Sequence, residues 1–553
     1  MVGQGRVVHF RTKSVLFLLC AAVAGCGDGE GPKSALRPYD GENAWDASGG
    51  SAGLSGGGAP DPGTRDAADA PGETSGGSAG QAGSGNDGDA TDGDPIVACP
   101  PVSSPAEDAG VVCGDGFRDP ASEECDDGNA DETDLCSSSC RVLARLAAPP
   151  GDAQQGDPFP RRLGAGRHVV SARCDGFGVV YVEGGDVPVV SLAAFDRHGL
   201  PDGVLRDVSV GSTPLLSAEP VIAGLADDTF VVAWNDFGGD GDLLGIAMKL
   251  VDPSRPLLHA PRFANAARAF SQYDPDILRI GAEIVVAWLD DTAIHSGPDV
   301  RFRRFDLELA PLTESDETLA ASESAESGVS LASFGTSWAA AWRSTGAGGE
   351  QIHARSGALE WHVAVGRGGP LDERPGLVEI DASHLLVVFS SEVEGSRTHV
   401  LRGAVLDSGR PGSSESFEIQ PLVVPDAHVW HNQPALARAG EHVYLSWRST
   451  SALTGPESEE VWLKEITWSA DSNGLTLDLS AAEVPLPRRE SHRTGTQRAP
   501  AVAVAPLWPD GAIAAVWEDY GRVFGAGQSA PDVVVQLIPT PVLRLPDVES
   551  RRE

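Results

Sequence analysis

Basic residues are scarce in this chain of 553 residues, where 41 Lys and Arg face 80 Asp and Glu and leave a formal net charge of -39. With no basic field to condense on phosphates, nucleic acid and anionic lipid headgroups are excluded as general partners, and the ionic partner that suits such a chain is a cation. No amphipathic helical period is present, and together with the Gly and Pro content this makes a helical fold remote. The apolar stretch from Val15 to Ala24 is too short to span a bilayer permanently. Common catalytic signatures are missing too: there is no Gly-x-Ser-x-Gly elbow, no phosphate-binding Gly-rich loop and no His-Glu-x-x-His. Catalysis has no positive motif, so an enzyme is not the first expectation.

What the chain has instead is a repeat. Thr229-Phe-Val-Val-Ala-Trp234 is an apolar run of strand length ending on an aromatic residue, with Asn235 and Asp236 following at once. Versions of it end at Tyr181, Trp288, Trp342, Phe389, Trp447 and Trp517, giving spacings of 53, 54, 54, 47, 58 and 70 residues. An unbroken apolar run indicates a strand buried on both faces. Before it comes a short strand that opens with X-Pro, as at Glu219-Pro220, Asp274-Pro275, Arg374-Pro375, Gln433-Pro434 and Ala499-Pro500. Proline suits a strand start, where no ladder bond is lost. After it comes an alternating strand such as Val300-Arg-Phe-Arg-Arg-Phe-Asp306, then a weaker outer one near Arg262-Phe-Ala-Asn265. Four strands in each of seven units is the arithmetic of an all-β, seven-bladed β-propeller over residues 159–546. Tandem β-sandwiches are the rival architecture, but they predict no single spacing. The units also resemble bacterial propeller repeats of the PxIAxLxDGxFVVAW kind.

In a propeller, the loops after the second strand and before the first emerge on one face. That face collects Asp236, Asp290, Asp291, Glu518 and Asp519, with Glu183, and Glu219 and Asp274 before the prolines. Ser344, Ser391 and Ser449 take the equivalent slot in units four to six. Either these acids form a ligand face or they merely end strands. Sialidase-like propellers are the enzymatic comparison; they carry an arginine cluster, a Tyr/Glu nucleophile pair and Ser-x-Asp-x-Gly-x-x-Trp boxes. Here Ser469-Ala-Asp471-Ser-Asn-Gly474 is off by one residue, and no tyrosine sits in a recognisable motif. His428 and His431, on opposite faces at strand spacing, read with His442 as surface-loop histidines rather than metal ligands.

At the N-terminus, Arg6, Arg11 and Lys13 precede the apolar stretch as in an export signal. Val23-Ala-Gly-Cys26 resembles the lipobox of bacterial lipoproteins, which implies a signal peptide over residues 1–25 and a diacylglycerol thioether on Cys26. Gly27 follows where Asp would suggest inner-membrane retention, so outer membrane or cell surface is the expected address. Residues 26–98 are Gly, Ser, Ala, Asp and Pro with almost no large apolar residue after Trp45. Such a segment cannot bury enough surface to offset ordering, which makes it a disordered tether with a reach of about 45 Å. Residues 27–98 carry 13 acids against 3 bases and residues 99–140 carry 11 against 1, so about half the net charge lies ahead of the repeats.

Residues 99–145 form a cysteine-rich module. Four cysteines, Cys113, Cys125, Cys136 and Cys140, stand where hardly any apolar residue is available for a core, so disulfides must hold the module together. Cys113-Gly-Asp-Gly116, Cys125-Asp-Asp-Gly-Asn129 and the Cys136 and Cys140 pair closely resemble the short cysteine-rich repeat of myxobacterial secreted and surface proteins. Leu135 departs from the Gly usual there. The resemblance implies an exported, disulfide-stapled module, and two bridges leave three connectivities open. Asp115, Asp126, Asp127, Asn129 and Asp134 are hard oxygen donors that suit Ca²⁺, or else they serve turns through their own backbone bonds. Cys99 and Cys174 remain, and a bridge between them would join module to first blade, worth roughly 4 kcal/mol by loop closure; pairing of Cys99 inside the module is the alternative.

These features describe a lipid-anchored cell-surface binding or scaffold protein that presents a propeller face to a protein or glycan, touches membrane only through its lipid, and binds no nucleic acid. A divergent secreted glycan-active hydrolase of sialidase-like type is the alternative. Cys26→Ala is expected to move the protein from the membrane pellet to the soluble fraction. Retention of that variant on membranes after a high-salt wash would place the anchor elsewhere.

Overall fold

Unbroken runs of β-branched and small apolar residues cannot present a polar face to water, so each must be covered on both sides. The computed structural model describes most of residues 161–539, residues 143–146 and 136–140, and positions 113, 114 and 123. Among the described residues there is no helix, and the strands form five hydrogen-bonded sheets. Cys26, Cys99, Cys125 and the proposed calcium donors Asp115, Asp126, Asp127, Asn129 and Asp134 lie outside the described residues, as does His428. Cys113 and Cys140 are joined by a disulfide, and Cys136 and Cys174 are each disulfide-bonded as well.

A short strand, β1 (Ala144–Leu146), precedes the repeats. One sheet contains β2 (Arg161–Arg162), β3 (Val170–Arg173), β4 (Gly176–Glu183), β5 (Val189–Asp196) and β6 (Pro201–Leu205). The next contains β7 (Val221–Gly224), β8 (Phe230–Phe237), β9 (Leu244–Val251) and β10 (Arg262–Phe263). A third contains β11 (Gln272–Ile280), β12 (Glu283–Asp290), β13 (Asp299–Asp306) and β14 (Glu317–Ala320).

A fourteen-stranded sheet follows. It opens with β15 (Ala325–Phe334), β16 (Ser337–Gly346), β17 (Gly349–Ser356) and β18 (Leu359–Gly368), then β19 (Gly376–Asp381), β20 (His384–Glu392), β21 (His399–Asp407), β22 (Gly412–Ser414) and β23 (Phe417–Ile419). It closes with β24 (Val429–Ala439), β25 (His442–Ser451), β26 (Glu459–Asp471), β27 (Gly474–Asp478) and β28 (Glu483–Leu486). In the last sheet β29 (Gln497–Ala505), β30 (Ala512–Asp519) and β31 (Asp532–Pro539) are joined by β1.

The arrangement is that of a β-propeller. The strands β3, β7, β11, β15, β19, β24 and β29 touch one another in that order, and β29 returns to β3, so the circuit closes. Five sheets stand where seven separate blades are expected from the spacing, and the reason is strand overrun. The long β18 continues past its own hairpin to pair Arg367 with Glu392 and Gly368 with Ser391 of β20, and β21 meets β24 through His399 and Trp430. The second strands are the most buried elements: Tyr181, Trp234, Trp288, Phe389, Trp447 and Trp517 are at most 1% exposed. Each packs in a cluster shared with a neighbouring group of strands, as Trp288 does with Val221, Val231 and Ile246.

Two local expectations are corrected. Proline does not open the inner strand at Pro275, Pro434 and Pro500; it lies within a β-bulge, where the register slips between Tyr273 and Asp276, Asn432 and Ala435, and Arg498 and Ala501. A bulged residue is unpaired, so proline's missing N–H costs nothing there. The outer strand of the last sheet is β1, paired Ala144 to Gln536 and Leu146 to Val534, and it lies ahead of residue 159, where the propeller was expected to begin. A chain starting at residue 159 lacks β1 and leaves the β31 edge uncovered. Its unfolding midpoint is expected to fall by several degrees, with aggregation from a state in which the full chain stays monomeric; an unchanged midpoint would show that β1 is dispensable for closure.

Candidate functional site

The bulges set the site. Each needs a residue in the left-handed region, and φ is 50° at Glu219, 61° at Asp274, 57° at Gln433 and 49° at Ala499, with Gly328 at 59° in the equivalent place on β15. Non-glycine residues held there store about 1–3 kcal/mol each, which persists only where the surroundings over-determine the conformation. Here the surroundings are a belt of polar side chains running around the end of the ring where inner strands begin and second strands end.

The belt can be followed residue by residue. Asn235 Nδ2 donates to Glu219 Oε2 at 3.3 Å, and the Asp274 amide donates to Asn235 Oδ1 at 3.2 Å. Arg374 Nη2 donates to Asp274 Oδ1 at 2.7 Å and to the Pro275 carbonyl at 3.1 Å, while Nη1 lies 3.4 Å from Asp276 Oδ1. The Gln433 amide donates to Glu373 Oε1, and the Ala499 amide donates to Gln433 Oε1 at 3.1 Å. Arg448 Nη2 donates to Glu459 Oε1 at 2.9 Å, and Arg498 Nε donates to Glu459 Oε2. The Leu163 amide donates to Glu518 Oε1 at 2.7 Å, and Tyr520 Oη donates to Glu518 Oε2 at 3.0 Å.

Burial drives the electrostatics. It pushes Glu373 from the ordinary 4.5 up to about 7, against the opposing pull of Arg343, the Gln433 amide, Ser390 and Arg448. Burial also raises Glu518, opposed by the Leu163 amide and Tyr520. At Asp276 burial acts in the same upward sense, but His168, 2.9 Å away, and Arg374 outweigh it and hold the carboxyl below its usual range. On the axis, a cavity of about 20 Å³ between His168, Asp276, Ser330, Gly376 and Val502 has room for about one water.

The residues anticipated as a ligand face are placed as follows. Glu219 and Asp274 are brought together through Asn235 and join the belt. Glu518 is 5% exposed and joins it at the other end, with Asp519 buried beside it. Asp236 is fully buried and serves its own loop, accepting from the amides of Thr213 and Gly239. Asp290 is buried against Gln272 and Arg301, while Asp291 is exposed. Glu183 pairs with Arg161 at 3.7 Å. His431 is no loop residue: it is 3% exposed, accepts from Trp447 Nε1 at 3.3 Å, and burial pushes it down to about 4. His442 pairs with Glu465 at 2.5 Å.

Sequence reasoning missed Glu373, Arg374, Gln433, Arg448, Glu459, Arg498 and Tyr520. The available signal was the residue ahead of each proline, since Arg374 and Gln433 stand where Glu219 and Asp274 do.

No protein-family model matches the chain, and no curated protein does. Among solved structures, an α-L-arabinanase of Penicillium chrysogenum complexed with arabinobiose is 11% identical over 58% of this chain and 92% of its own, with a TM-score of 0.32. A Trypanosoma rangeli sialidase in complex with the inhibitor DANA is 12% identical over 58% of this chain and 55% of its own, with a TM-score of 0.34. An α-L-arabinofuranosidase of Lactobacillus brevis is 10% identical over 58% of this chain and 90% of its own, with a TM-score of 0.30. Similarity this weak does not speak to function.

Glu373 makes the belt pH-sensitive. Its carboxyl is harder to ionise folded than unfolded, so stability is fully present below about pH 4.5 and is lost as pH rises through about 7, by up to about 3 kcal/mol. Urea unfolding at either side of that window should show wild type losing stability relative to Glu373→Gln as pH rises. Parallel curves for the two proteins would assign the proton elsewhere.

Proposed function

We propose that this chain is an exported, lipid-anchored propeller of seven blades that binds a glycan on its loop face, a binding module and not a catalyst. The closed circuit of seven inner strands supports this blade count, with the fourteen-stranded sheet taken as three blades bridged by strand overrun. The lipid on Cys26, the tether and the disulfide module belong to this reading as a stalk that holds the ring away from the membrane.

The observation that carries the binding role is the belt itself. Its acids and arginines are matched to one another and to backbone amides, which gives a rigid rim. Three aromatic rings stand exposed at the same end: Phe237 is 49%, Phe270 40% and Trp430 42% exposed. Aromatic surfaces beside fixed polar groups are what a sugar ring, apolar on its C–H face and polar at its edge, requires. A protein ligand would use the same anchors.

One observation favours the hydrolase as a second reading. Tyr520 and Glu518 form a hydrogen-bonded pair, and the Arg498 guanidinium lies 5.1 Å from the centre of the Tyr520 ring. A phenol held on a buried carboxylate is the arrangement a tyrosine nucleophile needs.

The two are separated by presenting the full chain to a glycan array and to chromogenic glycosides. Retention without turnover, reduced at least ~10-fold by Trp430→Ala as expected for loss of an aromatic anchor that the ligand covers, supports binding. Turnover abolished by Tyr520→Phe and by Glu518→Gln supports the hydrolase. Retention of neither glycan nor glycoside removes the glycan reading.

A further inference from the structure

β17 and β18 form an antiparallel hairpin in which His353 stands directly opposite His362. Side chains alternate on a pleated sheet, so one face of this hairpin buries Ile352, Ala354, Trp361 and Val363. The other face carries His353 from β17, with Glu360 and His362 from β18. The two Nδ1 atoms are 2.8 Å apart, with the rings at 85° to each other. Glu360 Oε1 lies 3.9 Å from His362 Nε2, and one donor atom from each of the three residues falls within 4.8 Å of the others.

Two imidazole nitrogens facing each other at this distance need something between them, either a proton or a metal ion. His353 Nε2 is 2.7 Å from Ser344 Oγ. When that nitrogen donates to the hydroxyl, Nδ1 is left with its lone pair directed at the hairpin face, the arrangement that fixes a metal-binding tautomer. The His353 ring is also stacked on Trp342, with centroids 5.7 Å apart and planes at 11°. Orientation is thus set by packing and by an outer hydrogen bond, on a sheet and not on a loop.

We propose that His353, His362 and Glu360 bind Zn²⁺, or a divalent cation of the same borderline character, and leave one position open. Two imidazoles and one carboxylate are the donor set of zinc sites that keep an open position. Calcium and magnesium, which take oxygen ligands, do not fit it. Donors about a tetrahedral zinc with bonds of ~2.0–2.1 Å stand roughly 3.3 Å apart. The pair of Nδ1 atoms therefore widens slightly, and Glu360, with a side chain 53% exposed, swings in. The open position faces a cavity of about 490 Å³ lined by Ser344, Gln351, His353, Arg355 and Glu360. Water or a small anionic ligand beside Arg355 would occupy it. None of these residues belongs to the belt, so the site stands independently of the glycan reading.

The test uses the full chain, stripped with a chelator and titrated with Co²⁺ and then Zn²⁺. Uptake of about one equivalent of Co²⁺ with the intense visible bands of a tetrahedral ion, displaced by Zn²⁺, is expected for a His₂Glu site. His353→Ala and His362→Ala should each weaken binding by at least ~100-fold, and Ser344→Ala by roughly 10-fold, the usual range for an outer partner. His442→Ala, which removes a histidine paired with Glu465, should leave binding unchanged. Unfolding midpoints in chelator guard against a damaged hairpin: a variant with the metal-free midpoint of wild type but no rise on adding Zn²⁺ supports the site as well. A wild-type chain without a stoichiometric site, or one whose site survives the double replacement of both histidines, overturns the proposal.

Discussion

Arg374 reaches from the head of β19 to Asp274 at the head of β11, and its path crosses β15 at Gly328, where a Cβ would come within 2.7 Å of the Arg374 Cα. Three inner strands are tied by one guanidinium because the middle one presents no side chain. The arginine is 4% exposed and the aspartate 8%, so neither charge is tolerable without the other. The same economy of space recurs at the axis: a Cβ on Gly224 would meet the Ala172 carbonyl at 1.8 Å. At these points glycine or a bulge lets inner strands come together, and the polar belt surrounds the bulges held in their left-handed conformation.

Much of the fold was legible because it rests on local pattern. The run Phe230–Trp234 reads as a doubly covered strand from its residues alone, and burial of all seven terminal aromatics follows from it. What was not legible rests on partners distant in sequence. That β18 overruns onto β20, or that β1 is the strand at the edge of the last sheet, depends on pairings no window of residues contains. The site divides in the same way. Glu219 and Asp274 could be named from their position before proline, but Glu459 bridging Arg448 and Arg498 could not, because its partners lie on β25 and β29. His353 and His362 are nine positions apart and look unrelated until the hairpin register sets them opposite.

Several cations are committed to the interior. Arg161, Arg173, Arg303, Arg343, Arg374, Lys249 and Lys464 are all buried, several against carboxylates. Fifteen carboxylates are buried among the described residues against these seven cations, so the formal charge of -39 overstates how acidic the exterior is, although the exterior stays strongly acidic. Such an exterior repels anionic surfaces at long range and draws small cations.

The pairing of Ala144 with Gln536 sets an order on synthesis. The strand made before all the repeats waits for the strand made after nearly all of them, so the ladder that completes the ring spans almost the whole domain and is the last to form. Loop closure over such a distance slows folding. A chain released just short of β31 leaves β1 without its partner and β30 as an exposed edge, which makes a nearly finished product hazardous.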